Sequence, residues 1–439
     1  MKKKYRIILY TSIFLLCVVA SIILVVKKSN SVYEEESKPK VVKHKSMLSM
    51  NLEQTAGAGD YKTVTQSKWP TEGYKFNAEL SRCENGSTLS WDDTKKAVIV
   101  SGNLSDKCYV YFDIYVPPRF DETCDTSTLA CYIAKQYTGT QGDNSLYYHD
   151  SNLTNGAGDN SYRYAGANPN NFVCFGSDAS PCPTDNLYRI IGVFGENYHG
   201  VTGKQLVKLI KYDYMTTDEL GTDGDYSQTY KEWGMDSTYK GTYGDGERIG
   251  VYYWNYKATG SATNTWSTSL LNKTNLNTNF INNIGSTWAN KIAITTWKVG
   301  GNTWANIGTK TSSVAYTNEI TNPVTTNTTD NATTYSAKIG LMYVSDYGFA
   351  ASPDAWTLTM SSYNNTTATN NNWMYMGLYE WTVSRNADYS NYAFFVDYVG
   401  FVDGVNVGFD YGVRASFNLE SSVSYVSGSG SMSDPIVIN

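Results

Sequence analysis

Histidine is rare in this 439-residue chain, and cysteine is missing from more than half of it. The three histidines are His44, His149 and His199, and the last cysteine is Cys182. Residues 200–439 therefore exclude a Ser–His–Asp or Cys–His catalytic site of their own, because both require an imidazole base. Zinc and iron sites built on histidine are excluded there for the same reason.

Charge is also scarce, at 17% of residues, whereas aromatic residues make up 14%. Disordered chains have the opposite balance, so this chain can bury large cores. The net charge of −6 gives no basic footprint, and we expect no nucleic-acid partner. A phosphate-cradling glycine loop is missing too, because "GAGDN" and "GSGS" have neither a strand–helix context nor a lysine.

The N-terminus carries the longest apolar run, residues 7–26. About 20 helical residues, at roughly 1.5 Å each, cross the hydrocarbon of a bilayer. A cleavable signal peptide is the alternative, but its apolar region is usually shorter and ends at small residues. We predict that residues 1–30 form an uncleaved transmembrane anchor and that residues 31–50 form a juxtamembrane linker.

Six cysteines lie outside the apolar run, and an even number in an exported segment indicates disulfides. Fifteen pairings are possible. Sequential pairing closes the shortest loops, and we predict it. The alternative is six buried thiols in a cytosolic protein; zinc is less favoured because the chain has no Cys-x-x-Cys pair. We therefore expect a single-pass protein of the cell membrane, with a cytoplasmic N-terminus and an extracellular bulk. The predicted bridges are Cys83–Cys108, Cys124–Cys131 and Cys174–Cys182.

Three further regions follow the linker. Residues 51–116 alternate apolar and polar positions between turn signals, which predicts a small all-β module. Residues 117–185 form a disulfide-containing connector rich in Gly, Asn and Asp, and residues 186–439 form the largest domain. Asp143, Asp150 and Asp159 in the connector can ligate calcium, although turn chemistry alone accounts for them. We expect no other cofactor and no other metal.

One helix is predicted in the large domain, because four apolar residues recur on a single helical face. Thr274 or Asn275 would cap its start, and Gly285 suits its end. The four apolar residues are Leu276, Phe280, Ile281 and Ile284.

Five short motifs follow one another within residues 186–439: "DNLYRIIGVF", "WSTSLLNKTNLNTNF", "KIGLMYVSDYGFA", "YEWTVSRN" and "GVRASFNL". Their order and spacing resemble the C-type-lectin-like domain shared by formylglycine-generating enzymes and many bacterial surface proteins. The resemblance covers residues 186–439 and implies a C-type-lectin-like C-terminal domain. Together with the regions predicted above, we expect an α+β, β-rich chain in which the small all-β module and the transmembrane helix precede that domain. Formylglycine-generating members need cysteines in this region, and this chain has none after Cys182, so we predict that it is not an enzyme.

In that family, a "W-E-W-T" stretch precedes a loop-rich region and a "G-[FV]-R" stretch returns the chain to the core. The matching residues make Glu380, Trp381 and Arg414 the expected structural anchors. Residues 382–419, which lie between Trp381 and Glu420, contain no Lys, Glu, Gln, Met or Trp. Tyr, Asn, Ser, Gly and Asp are typical of adaptable recognition loops. The predicted ligand-binding residues are Arg385, Asn386, Asp388, Tyr389, Tyr392, Asp397, Tyr398, Asp403, Asn406, Asp410 and Tyr411.

These features predict a membrane-anchored extracellular binding protein whose ligand is a glycan or a protein. The first alternative is an exported carboxylate-dependent glycan hydrolase, in which Glu380 acts with Asp397 or Asp403. The second is a structural component of the cell envelope that has no discrete ligand.

Overall fold

In a computed structural model, the structure describes residues 48–439 apart from gaps at 66–67, 71, 104, 223–230, 236–237, 245, 258, 323–332 and 365. The predicted anchor lies outside the described residues, as does the linker up to residue 47. Within the described part of the chain, none of the helices has both the length and the apolar composition of a membrane span.

The chain divides into two compact units, one that ends at Pro118 and one that comprises Arg119–Asn439. The predicted end of the β module at residue 116 lies two residues from this division. No division falls at the predicted boundary between residues 185 and 186. Residues 119–185 instead supply strands to a sheet of the second unit, so the predicted connector and the large domain share one core.

The first unit contains six described strands. Cys83 and Cys108 lie at facing ends of two of them and form a disulfide, as predicted. The four-stranded sheet has the order β2-β1-β6-β3, and β4 pairs with β5 in a separate hairpin. The strands are β1 (Leu48–Glu53), β2 (Tyr61–Val64), β3 (Tyr74–Cys83), β4 (Thr88–Asp92), β5 (Ala97–Ser101) and β6 (Cys108–Ile114).

The second unit contains eighteen described strands. More of the protein is strand than helix, which confirms the β-rich α+β class. The strands are β7 (Leu146–His149), β8 (Ser161–Tyr164), β9 (Phe172–Cys174), β10 (Leu187–Phe194), β11 (Leu206–Lys211), β12 (Lys231–Gly234), β13 (Arg248–Tyr253), β14 (Thr295–Lys298), β15 (Gly301–Asn302), β16 (Thr334–Ala337), β17 (Ile339–Gly340), β18 (Glu380–Asn386), β19 (Tyr392–Val396), β20 (Val402–Asn406), β21 (Asp410–Gly412), β22 (Ser416–Asn418), β23 (Tyr425–Ser427) and β24 (Val437–Ile438).

Two seven-stranded sheets organise this unit. The first has the order β17-β22-β11-β10-β8-β7, with β9 also paired to β10. The second has the order β12-β13-β21-β18-β19-β20, with β15 also paired to β18. Every residue of β10 and of β18 is buried, so both faces of each strand are covered by other parts of the unit.

Short helices connect and cover the sheets. The α-helices are Phe120–Thr123, Leu129–Ala134, Glu196–His199, Thr217–Leu220, Ile281–Asn283, Gly285–Ala289, Ser312–Tyr316, Val344–Ala350 and Thr366–Asn370. The π-helical segments are Leu271–Phe280 and Thr317–Thr321. The 3-10 turns are Asp143–Ser145, Thr184–Asn186, Trp266–Thr268, Trp304–Asn306, Pro353–Thr357 and Met360–Ser362.

The predicted helix near residue 280 exists, but its start was wrong. The helical segment begins at Leu271, so Thr274 and Asn275 lie inside it and cap nothing. The reason is a tertiary contact: the Asn275 side-chain amide donates to the Leu220 carbonyl at 2.9 Å, so it does not cap a helix end. Gly285 adopts φ +75° after Ile281–Asn283, close to the predicted end.

The core of the second unit is aromatic. Trp254, Trp266, Trp297, Trp356 and Trp381 are among its largest fully buried side chains. The other two bridges, Cys124–Cys131 and Cys174–Cys182, also form as predicted. All three disulfides therefore follow the sequential pairing.

Candidate functional site

The residues predicted to form exposed loops lie largely in strands β18–β21. Four of the eleven predicted ligand-binding residues, Arg385, Asn386, Asp397 and Tyr411, are buried, so an exposed loop is wrong for them. The reason is that β18 is buried along its whole length and β19 is a continuous apolar run, YAFFV, so these strands belong to the core. The other seven predicted residues are partly or fully exposed, namely Asp388, Tyr389, Tyr392, Tyr398, Asp403, Asn406 and Asp410.

The β18–β19 turn groups several predicted residues but uses them structurally. The side-chain amide of Asn264 donates to the backbone carbonyls of Asn386, Tyr389 and Tyr392 at 2.7, 3.0 and 2.7 Å. Arg385 Nε donates to the Val299 carbonyl at 2.9 Å. Because the buried Asn264 side chain holds three of its backbone carbonyls, this turn forms a convex protrusion and does not enclose a concave site.

A concave site lies at the other end of the second sheet, where the side chains of β12 meet the segment before β18. This open groove has a volume of about 650 Å³. We call it the aromatic groove. Its lining residues are Glu232, Trp233, Gly234, Thr238, Arg248, Leu378, Tyr379 and Tyr398.

Gly377 allows the two sides of the aromatic groove to approach each other. It adopts φ +91°, and a Cβ atom at this position would lie 2.0 Å from the Thr238 carbonyl oxygen. The Thr238 hydroxyl donates to the Gly377 carbonyl at 3.1 Å. A side chain at residue 377 would therefore separate the two walls.

Four aromatic rings form a continuous cluster along the groove. Tyr379 stacks on Tyr411 with centroids 4.9 Å apart, and it contacts Tyr398 at 5.3 Å and Trp233 at 5.9 Å. Tyr411 in turn packs against the buried Trp381 at 4.7 Å. The core thus fixes the inner rings, whereas Tyr398 stays 44% exposed at the mouth.

Carboxylates surround these rings. The Tyr379 hydroxyl hydrogen-bonds to Asp397, which also accepts the Val399 amide at 2.8 Å. Burial raises the pKa of Asp397, and the nearby negative charge of Asp403 raises it further. Burial is also the main cause of the raised pKa of Tyr411, with Asp397, Asp403 and Asp410 among the other contributors.

The three predicted anchors lie beneath the groove. Glu380 Oε1 accepts Arg414 Nε at 2.8 Å, and a second Arg414 nitrogen donates to the Met374 carbonyl at 2.6 Å. Trp381 Nε1 donates to the Tyr252 carbonyl at 2.8 Å. Burial raises the pKa of Glu380, and the Arg414 charge opposes that shift. Glu380 is 2% exposed, and its Oε1 is occupied by the Arg414 guanidinium.

A second buried ionic cluster was not predicted. Lys208 Nζ lies 2.6 Å from Asp346 Oδ2, and both side chains are fully buried. The Tyr198 hydroxyl donates to Asp346 Oδ1 at 2.7 Å, and Arg163 Nη1 lies 3.7 Å from that Oδ1 atom. The cluster joins β11 to the helix Val344–Ala350. A lysine within the apolar run "QLVKLIKY" was the signal that could have revealed it.

The three aspartates considered for calcium do not meet as one group of ligand atoms within the described residues. Asp143 accepts the Thr138 hydroxyl at 2.5 Å, and Asp159 accepts an Arg163 nitrogen at 2.8 Å. Asp150 accepts the backbone amide of Leu153 at 3.0 Å. Each aspartate thus serves the local structure around it.

Seven of the eight lining residues of the groove were missed, namely Glu232, Trp233, Gly234, Thr238, Arg248, Leu378 and Tyr379. Tyr379 directly precedes the Glu380-Trp381 pair and could have been included on that ground. The β12 and β13 residues carry no such signal, since about 130 residues or more separate them from Leu378. Comparison of the chain with protein-family models, curated proteins and solved structures gives no match.

Proposed function

We propose that this protein is a membrane-anchored extracellular binding protein whose aromatic groove binds a glycan. The observation that carries the proposal is the groove itself, in which Trp233, Tyr379 and Tyr398 line a space large enough for two or three sugar rings. The C–H faces of sugars pack on aromatic faces, and carboxylates such as Asp397 and Asp403 accept hydrogen bonds from sugar hydroxyls.

Two features support an extracellular location. Three disulfides are typical of proteins that mature in an oxidising compartment. The apolar run of residues 7–26 has the length of a bilayer span and would hold the chain at the membrane. Both remain consistent with a cytoplasmic N-terminus.

We also propose that the second unit is C-type-lectin-like. The support is the arrangement of the motifs that carry the resemblance. "LYRIIGVF" is β10, "EWTVSRN" is β18, and "GVRASFNL" contains β22. These strands lie in the interior of the two large sheets, where family-defining residues set the core rather than the ligand.

The test is a glycan array probed with the purified protein and with two tyrosine variants. Tyr398→Ala removes an exposed ring from the groove, and we expect it to weaken binding about tenfold, as loss of an exposed aromatic contact does. Tyr389→Ala is the matched control: it removes a ring that is 58% exposed at the far turn of the same sheet, and binding should be unchanged.

If Tyr389→Ala weakens binding and Tyr398→Ala does not, the ligand binds at the β18–β19 turn, and the proposal that it binds in the aromatic groove is refuted. Binding to a protein but to no glycan would favour the other predicted ligand class. Release of reducing ends from a bound glycan, abolished by Asp397→Asn, would instead support the hydrolase alternative.

A further inference from the structure

Among the described residues in and around the aromatic groove, acidic side chains outnumber basic ones. Glu232 is exposed at its rim, and Asp397 and Asp403 lie close enough to influence one another. Asp410 adds a further negative charge beside Tyr411. Arg248 is the cation among the described lining residues, and its guanidinium donates to the Glu232 backbone carbonyl at 3.2 Å.

Asp397 is the most informative of these acids, because it is 5% exposed. Its described partners are the Val399 amide and the Tyr379 hydroxyl, and no described lysine or arginine forms an ion pair with it. A buried carboxylate without a counter-charge is costly unless something positive approaches it. The open side of the groove, lined by Tyr379 and Tyr398, is where such a charge can enter.

The rings favour the same ligand charge. Aromatic faces attract cations within about 6 Å of the ring centroid, and tyrosine and tryptophan do so most strongly. Tyr379, Tyr398 and Trp233 line the groove, and Tyr411 stacks on one face of Tyr379. Rings and carboxylates placed together favour a protonated amine over the neutral amide that acetylation makes of it.

Building on the proposed glycan-binding function, we infer that the aromatic groove recognises a glycan with free primary amines, an unacetylated amino sugar. The amine would lie between the Asp397 and Asp403 carboxylates and the faces of Tyr379 and Tyr398, while the rest of the sugar packs along Trp233. An N-acetyl group would remove the charge and leave Asp397 without its partner.

The experiment compares pairs of immobilised oligosaccharides that differ only in acetylation, with a β-1,4-linked glucosamine hexamer and its fully N-acetylated form as the principal pair. We expect the free-amine hexamer to bind at least about tenfold more tightly. Raising NaCl from about 0.05 to about 0.5 M should weaken the free-amine form and leave the acetylated form nearly unchanged.

Two charge variants test the residues. Asp403→Asn should reduce binding of the free-amine hexamer about tenfold while leaving the weaker acetylated form unaffected. Asp388→Asn, which neutralises an exposed aspartate at the opposite end of the same sheet, is the matched control and should change neither. Equal melting temperatures of both variants establish that the fold is intact.

The outcomes separate the two proposals. Equal or tighter binding of the acetylated hexamers overturns the amine inference and leaves glycan binding standing. Binding of a hexalysine peptide without binding of either hexamer overturns the glycan assignment and the inference with it. Loss of free-amine binding in Asp388→Asn but not in Asp403→Asn places the charge recognition outside the groove.

Discussion

Replacing Glu380 by Gln should destabilise the second unit far more than any surface substitution. The change leaves the shape of the side chain intact but removes the counter-charge of Arg414, which is 1% exposed. An uncompensated charge from a broken buried ion pair costs about 3–5 kcal/mol. A domain of this kind has a total free energy of unfolding of about 5–15 kcal/mol, so one substitution would remove a large share of it.

Arg414→Met should cost more than Glu380→Gln. Arg414 also donates to the Met374 carbonyl at 2.6 Å, and leaving that buried acceptor without a donor adds about 1–3 kcal/mol. The variant should also depend on pH in a particular direction. Burial already raises the pKa of Glu380 above 4.5, and loss of Arg414 raises it further. Stability of Arg414→Met should therefore be greatest in acid and fall as the pH rises through that raised pKa.

Urea denaturation followed by tryptophan fluorescence measures these effects, because nine of the eleven tryptophans belong to the second unit. Glu122→Gln is the control: Glu122 pairs with Arg119 at 3.1 Å, but the two side chains are 46% and 36% exposed, and the change should cost under about 1 kcal/mol. If Glu380→Gln costs no more than this control, the Glu380–Arg414 pair does not stabilise the fold as reasoned.

Three further outcomes are expected. Burial lowers the pKa of His149 to about 3, so the fold should lose up to about 1.4 kcal/mol per pH unit as the pH falls below 6.5; His149→Phe should flatten this loss in urea titrations between pH 6.5 and 4.5. Lys208→Met and Asp346→Leu should each cost about 3–5 kcal/mol, and the double variant less than their sum; additive costs would argue against a coupled pair. In denaturant without reductant, iodoacetamide should label none of the six bridged cysteines, including Cys174 and Cys182, and all six after reduction; mass analysis that finds free thiols beforehand would contradict the pairing.

The parts of the fold that could be predicted are those specified by neighbouring residues. The small β unit follows from local alternation and turn residues, and the three bridges follow from short loops between cysteines. β10 and β18 stand out as compact runs of strand-forming residues. Each of these features is decided within about 30 residues of chain.

The groove could not be predicted because distant residues build it. Trp233 and Tyr379 lie nearly 150 residues apart in sequence, and only sheet pairing through β13 and β21 brings them together. The polarity of Arg385 and Asn386 also led to a wrong prediction of exposure. Both residue types are common in loops, yet β18 is buried along its whole length. A register irregularity between Trp381 and Arg385 breaks the simple alternation from which exposure would be judged.

The first and last described strands of the first unit, β1 and β6, are paired with each other, and this pairing determines how the unit resists stretching. β1 and β6 run side by side and parallel, with Leu48 opposite Cys108 and Leu52 opposite Phe112. Tension on the chain enters at the start of β1 and leaves beyond the end of β6, so it slides the strands lengthwise and loads their slanted hydrogen bonds all at once. Separating β1 from β6 then requires several hydrogen bonds to break at the same time, whereas a hairpin pulled open from its ends breaks its hydrogen bonds one after another. The Cys83–Cys108 disulfide also prevents the 24 intervening residues from extending under that tension.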